Sequence, residues 1–452
     1  MRAITFRITR VSTVACVVLA PMLITPPAAA VTPPPIDDAL LPAPGPPAPP
    51  RPTEQASPCV TGSTASPDGA GQLADVDLRS VWALSRGAGQ TVAVIDTGVV
   101  RHRLLPRLVP GGDYVSSGDG TDDCDGHGTV VAGIIGTAAA EGSAPGFSGV
   151  APEATLIGIR QSSTRFRAVD APAGTDGFGD VDTLASAVRT AADMGATVIN
   201  VSTIACVPAE SALDDRALGA ALAYAVDVKN VVVVAAAGNV GAPGQCPDRN
   251  PGTDPSSAAR PDWTHVNVVV SPAWYDDYVL TVGSVGHDGA PSSFSLAGPW
   301  VDVAAPGERV VSLDPDGEGL IDTMPTATDE KPIAGTSYAA PVVSGVVALL
   351  RARAPQLTAR QVMQRIEDTA RRPAGGWNPV VGHGVIDIHA AVTGSAAPPD
   401  SASHEEPRVV SRPNSGSPDQ RPVRLATTAA AVCLAASLVV GLTTLWAGRL
   451  RR

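Results

Sequence analysis

Val231-Val-Val-Val-Ala-Ala-Ala-Gly238-Asn239 is apolar until its last residue. A run this short, bounded by Gly and Asn, reads as a strand covered on both faces, as in a parallel sheet. Ala212–Asp227 precedes it and reads as a helix, as does Val181–Met194. Five more β-branched runs share its character: Thr91–Ile95, Ala154–Ile159, Thr197–Val201, Val279–Val282 and Val301–Ala304. Short buried strands alternating with helices give an α/β fold, a parallel central sheet flanked by helices.

The chain has 452 residues, 44% hydrophobic but only 4% aromatic, so a large core must be built mainly from Ala, Val, Leu and Ile. Gly (45) and Pro (43) are well above the usual ~12% combined and belong in linkers or long loops. The net charge of -12 argues against nucleic acid as a partner, because phosphate binding needs a basic footprint.

Both ends set a compartment. A basic head, an apolar run from Val11 to Ile24 and Ala28-Ala29-Ala30 make residues 1–30 a secretory signal peptide, with an uncleaved anchor as the alternative. Residues 31–72 form a Pro-rich extension, with eleven prolines between Val31 and Pro58, and read as an extended arm. Residues 73–392 hold the α/β pattern, and 393–424 return to Pro, Ser, Gly and charge as a flexible linker. Residues 425–448 carry no charge and would span ~36 Å as a helix, enough for one transmembrane crossing. A soluble core helix is the alternative. Trp446 suits an interface, and Arg449, Arg451 and Arg452 suit a cytoplasmic tail over 449–452. The body is then expected on the periplasmic or extracellular side of a cell membrane.

Cys16 lies in the signal and Cys433 in the span, leaving Cys59, Cys124, Cys206 and Cys246 exported. Four cysteines suit an oxidising compartment and allow three connectivities, among which the sequence does not choose. No CxxC pair exists, so a zinc site is not expected. Neither a metal nor a cofactor is expected.

Three motifs carry chemistry. Val92-Ala-Val-Ile-Asp96-Thr97-Gly98 ends a strand on a carboxylate, read either as a cap or as a site residue. Asp125-Gly126-His127-Gly128-Thr129 places a histidine between two glycines at a helix start, where backbone can approach the imidazole; a buried structural histidine is the alternative. Gly335-Thr336-Ser337-Tyr338-Ala339-Ala340-Pro341 opens another helix, and an ordinary capping serine is the bland reading. Together they are specific: Asp, His and Ser follow in that order, with Asn239 at a strand end between His and Ser, and that chain order is the subtilisin one.

Over roughly Val81 to Val392 the chain resembles the subtilisin-like serine proteases, the subtilases. Finer features resemble their mycosin subfamily, the membrane-anchored subtilases of actinobacterial type VII secretion. These are Pro33 to Pro42, Glu54-Gln55 with Cys59, Arg107-Leu-Val-Pro-Gly-Gly-Asp-Tyr114, Asp122-Asp-Cys124-Asp-Gly-His127 and the single C-terminal span. The resemblance implies a subtilisin-like fold and catalysis by Asp96, His127 and Ser337. It implies an oxyanion hole from Asn239 and the Ser337 N–H, and substrate contacts from Ser202, Thr203, Ile204, Ala236 and Gly238. The preferred disulfides are Cys59–Cys124, pinning the arm beside the cleft, and Cys206–Cys246. The arm lacks a core-forming pattern and is expected to stay wrapped on the domain. Long loops at Gln161–Asp180 and Gly241–Asp277 would restrict access or hold a partner. The acidic loop Asp119–Asp125 is expected to be a solvated loop and not a calcium site. The implied activity is endopeptidase cleavage of exported protein or peptide substrates, beside a type VII secretion membrane complex. The alternatives are a structural subunit of that complex and a general degradative protease.

Overall fold

The strands that carry the site are the apolar runs of the sequence. The computed structural model describes residues 30–61, 71–138, 147–172, 177–211, 213–242, 245–252, 260–317, 319–325, 330–373 and 375–394. The expected signal peptide up to residue 29, the linker beyond residue 394 and the span at 425–448 lie outside the described residues. Among the described residues no helix is long and apolar enough to cross a membrane.

In chain order the first eleven strands are β1 (Thr53–Gln55), β2 (Thr91–Asp96), β3 (Leu108–Asp113), β4 (Thr155–Arg160), β5 (Phe166–Ala168), β6 (Val198–Val201), β7 (Ala205–Pro208), β8 (Val232–Ala236), β9 (Val268–Ser271), β10 (Val279–Val285) and β11 (Val303–Pro306), and short two-stranded pairs follow. The helices are α1 (Leu78–Trp82), α2 (His127–Gly136), α3 (Val181–Asp193), α4 (Arg216–Ala223), α5 (Thr336–Arg353), α6 (Ala359–Thr369) and α7 (Ile388–Thr393). Seven strands make one sheet in the order β11-β10-β8-β6-β2-β4-β3, every pair parallel. All of β6, β8 and β10 is buried, which is why these strands read as unbroken apolar runs.

Helix α5 is buried at every residue from Thr336 to Arg351 and packs on β6, β8, β10 and β11. A helix so enclosed has no polar face to show, as its Ala, Val and Gly content reflects. Pro341 within it removes the donor that would serve the Ser337 carbonyl four residues earlier. The Ser202 hydroxyl donates to that carbonyl instead, at 2.8 Å.

Several expectations shift. The 212–227 helix begins only at Arg216 and closes through one wider π turn over Tyr224–Val228. The last sheet strand sits at Val303–Pro306, two residues later than expected, its register set by Val303 beside Val282. Strand β3 was not foreseen, because Pro110-Gly111-Gly112 reads as a turn. It is an edge strand, where a missing N–H is tolerated. A Cβ on Gly111 would lie 2.4 Å from Ile157 Cγ2, so only glycine lets β3 approach β4 there.

Neither long insertion is a plain loop. The first contains β5, which pairs antiparallel with β1 of the arm through Thr53–Ala168, Glu54–Arg167 and Gln55–Phe166. The second contains β9, antiparallel to β7. The arm lies along the body over much of its length. The Val31 N–H donates to Trp263 O at 2.8 Å, Arg189 Nη1 donates to Pro42 O at 3.3 Å, and Val60 N–H donates to Cys124 O at 2.8 Å.

Candidate active site

Asp96 ends β2 and its side chain is wholly buried. Its Oδ1 accepts from the Thr97 N–H at 2.8 Å and faces His127 Nδ1 at 2.6 Å. His127 is the first residue of α2, and its side chain keeps 24% exposure. The turn into α2 needs Gly126, which has φ 77° and is left-handed. A Cβ on Gly128 would fall 2.0 Å from Gly98 O, so the two backbones meet there only because residue 128 is glycine.

A buried network stands behind this pair. Asp123 accepts from Thr97 Oγ1 and Gly126 N–H, each at 2.8 Å, and from Thr129 N–H at 2.8 Å and Thr129 Oγ1 at 2.7 Å. Asp125 accepts from the Thr164 N–H at 2.8 Å and from the hydroxyls of Ser163 and Thr164. The expected solvated acidic loop is therefore corrected. Asp119 and Asp122 face solvent, but Asp123 and Asp125 are buried because they tie the loop to α2 and to the first insertion. Burial pushes Asp123 up. Burial also works against charging His127. The Asp96 charge and hydrogen bond, with Asp123 and Asp125 behind, outweigh it and hold His127 above the ordinary imidazole value. Among the described residues no group of three or more His, Cys, Asp or Glu is placed to hold a metal ion.

Helix α5 brings the third motif to the same place. The ring of Tyr338, next to Ser337, lies 5.0 Å from the His127 ring, centroid to centroid. A Cβ on Gly335 would sit 3.1 Å from Ser337 Oγ and 3.5 Å from Asn239 Nδ2, so these two groups border one small space. Asn239 Oδ1 accepts from the Thr336 N–H at 2.9 Å and Thr336 Oγ1 at 3.1 Å, which turns Nδ2 toward that space. The N-terminal N–H groups of α5 add a positive end there. A carboxylate-held imidazole, a hydroxyl at a helix start and an amide donor beside it are the parts of acyl transfer.

A comparison with protein families matches residues 87–384 to the Subtilase family of peptidases. The chain belongs to the subtilase family. Its resemblance within that family is to the mycosins, and like them it is a subtilisin-like serine endopeptidase. Mycosin-4 of Mycobacterium tuberculosis (strain ATCC 25618 / H37Rv) is 56% identical over 443 residues, covering 96% of this chain and 95% of that one. The solved structure of the MycP3 protease from the type VII (ESX-3) secretion system is 45% identical, with a TM-score of 0.74 over 80% of this chain and 100% of that one. A chain in the structure of an intact ESX-5 inner membrane complex is 41% identical, with a TM-score of 0.74 over 92% of this chain and 100% of that one.

In this subtilase the residues expected to meet substrate divide. Ser202 turns inward: it is buried, accepts from Asn200 Nδ2 at 2.9 Å and props the Ser337 carbonyl. Ser344 completes the chain by donating to Asn200 Oδ1 at 2.8 Å. The Ser202 side chain thus holds the start of α5, and only its main chain remains for a substrate. Thr203 and Ile204 are half-buried, and Ala236 is buried at the end of β8. Gly238 has φ 107°, and a Cβ there would meet Cys246 Sγ at 3.1 Å and Ile204 Cδ1 at 3.2 Å. Ile204, Gly238 and Cys246 therefore form one patch.

The subtilase body is bridged by Cys59–Cys124 and Cys206–Cys246. The first fixes the arm three residues before His127. Thr336, Tyr338 and Asp123 were not singled out from the sequence. Thr336 and Asp123 stand within quoted stretches, but the contacts that tie them to the site, Thr336 to Asn239 and Asp123 to Thr97, reach 97 and 26 residues along the chain, so no local pattern exposes those roles.

Proposed function

We propose that this mycosin-like subtilase is anchored to a cell membrane, works beside a type VII secretion complex, and cleaves peptide bonds of exported proteins. The observation that carries the reading is the 2.6 Å contact of His127 Nδ1 with buried Asp96 next to the α5 terminus that bears Ser337. Ser337 Oγ attacks the scissile carbonyl carbon while its proton passes to His127 Nε2. Asp96 holds the tautomer with hydrogen on Nδ1 and stabilises the imidazolium. The Ser337 N–H and Asn239 Nδ2 receive the oxyanion. The C–N bond breaks as His127 returns the proton to the leaving amine, and water then cleaves the acyl-enzyme by the same route. The substrate lies as an added strand along the main chain of Ser202, Thr203 and Ile204, with Ala236 and Gly238 lining the first pocket. Residues 1–30 direct export, 31–72 stay as a strap on the 73–392 domain, and 425–448 cross the membrane, leaving 449–452 inside.

Fluorophosphonate labelling of the full chain tests this. The wild type should label and Ser337→Ala should not; a folded wild type that stays unlabelled sinks the reading. A second reading, a structural subunit with proteolysis secondary, is favoured by the similarity to a chain of the ESX-5 inner membrane complex. Secretion that survives Ser337→Ala but fails on deletion of the protein would favour it. Loss in both would place proteolysis first.

A further inference from the structure

Asp96 is the last residue of β2 and Asn239 lies just beyond the carboxyl end of β8. Strand β10 runs parallel to β8, with Val279 beside Val233, so the residues just before β10 lie at the opposite edge of the sheet. The separation is roughly 20 Å at ~3.3 Å per strand residue. A cavity of about 350 Å³ opens there between the start of the arm and the segment leading into β10. Pro34, Trp263, Trp274, Tyr278, Asp276 and Asp277 are among the residues that line it.

The walls are set from behind. Buried Asp215 accepts from Trp274 Nε1 and Tyr275 Oη, both at 2.8 Å. The Trp263 carbonyl accepts from Val31 N–H, which seats the arm, and its ring packs on Trp300 at 5.7 Å. The nearby cation is already engaged: Arg360 pairs with Asp227 at 2.9 Å, donates to the Asp277 carbonyl at 2.6 Å and lies 5.0 Å over the Tyr278 ring. Asp276 and Asp277 both reach the protein surface. Desolvation by the surrounding protein and the charge of Asp277 push the Asp276 carboxyl up to about 6. A purely apolar occupant would strip water from both carboxylates without compensation, which is unfavourable. An anionic one would be repelled. An occupant with a cation on an apolar stem satisfies both the rings and the carboxylates.

We propose that this cavity is a docking site for an extended segment of a partner protein, which places an arginine or lysine against Asp276 and Asp277 with its stem along Trp263, Trp274 and Pro34. Proline and aromatic walls suit an extended, proline-containing segment. The site lies away from the cleft, so a docked partner leaves the cleft open, and the proposal stands whether or not the cleft is active.

The test uses the full chain carrying Ser337→Ala, so that no probe is cleaved, and a fluorescein-labelled acetyl-Pro-Leu-Arg-Pro-Leu-amide read by anisotropy. A matched peptide with citrulline in place of arginine is the control. The arginine peptide should bind about tenfold more tightly than the citrulline one, the size of a desolvated cation–aromatic contact with a carboxylate partner. D276N/D277N should erase that difference while leaving fluorophosphonate labelling of the otherwise native chain unchanged. Should the double variant not fold, D277N alone should narrow the difference. Equal binding of the two peptides, undiminished binding of the arginine peptide by the charge variants, or no binding at all would overturn the proposal.

Discussion

Thr336→Val probes how the oxyanion donor is aimed. The Thr336 hydroxyl is buried between two groups: it accepts from the Gly238 N–H at 3.1 Å and donates to Asn239 Oδ1 at 3.1 Å. Valine keeps the shape and removes both bonds. Gly238 N–H is then a buried donor without its acceptor, a loss of ~1–3 kcal/mol in stability. Asn239 Oδ1 keeps the Thr336 N–H at 2.9 Å, so half of its anchoring survives. One such bond is worth ~1 kcal/mol, about a fivefold slower reaction. The ceiling is complete loss of the donor, ~10²–10³ for Asn239→Ala. The second-order rate of fluorophosphonate labelling measures this without a known substrate, because the phosphonyl oxygen occupies the oxyanion position. If Thr336 acts through Asn239, adding Thr336→Val to Asn239→Ala should slow labelling no further. A full fivefold penalty on top of Asn239→Ala, or none in the wild-type background, would refute the reasoning.

Labelling should also rise with pH, because His127 must be neutral to take the Ser337 proton, with a midpoint above the usual imidazole value of ~6.5. Asp96→Asn should lower that midpoint and cut the rate by ~10⁴. Because the folded state favours protonated His127, its stabilising contribution is complete below the ordinary value and is lost as pH rises through the raised one; unfolding midpoints across pH would reveal that loss, and Asp96→Asn should flatten it. Replacing Cys59 and Cys124 together by alanine opens a closure of 65 residues and should cost ~4 kcal/mol in denaturant unfolding. Asp113→Ala should cost ~3–5 kcal/mol, since it strands buried Arg160, 3.5 Å away and stacked 4.4 Å from the Phe166 ring. Pairing it with Arg160→Met should recover much of the loss, as measured by unfolding.

What was legible early is what the chain writes locally. Thr91–Asp96 and Thr155–Arg160 fall within a residue of the expected strands, because burial on both faces demands unbroken apolar runs. Strand β3 escaped notice because its Pro-Gly-Gly core is also turn chemistry, and only its place beside β4 makes it a strand. Asp123 and Asp125 looked like a charged, solvated loop. Their burial depends on hydroxyls at Thr97, Thr129, Ser163 and Thr164, whose proximity no local pattern announces.

By itself the sequence determined the class of the fold, since strand and helix periods are local properties of the chain. It also pointed to Asp96, His127, Asn239 and Ser337, because Asp, His and Ser follow one another in the subtilisin order with Asn239 at a strand end between His and Ser. The tertiary structure decided how those ends meet. A parallel sheet puts the carboxyl ends of β2 and β8 on one edge, and α5 delivers Ser337 there. It also decided that Ser202 serves the helix before any substrate. Pro341 leaves a carbonyl without its donor, and a buried acceptor must be satisfied by whatever hydroxyl the fold brings within reach.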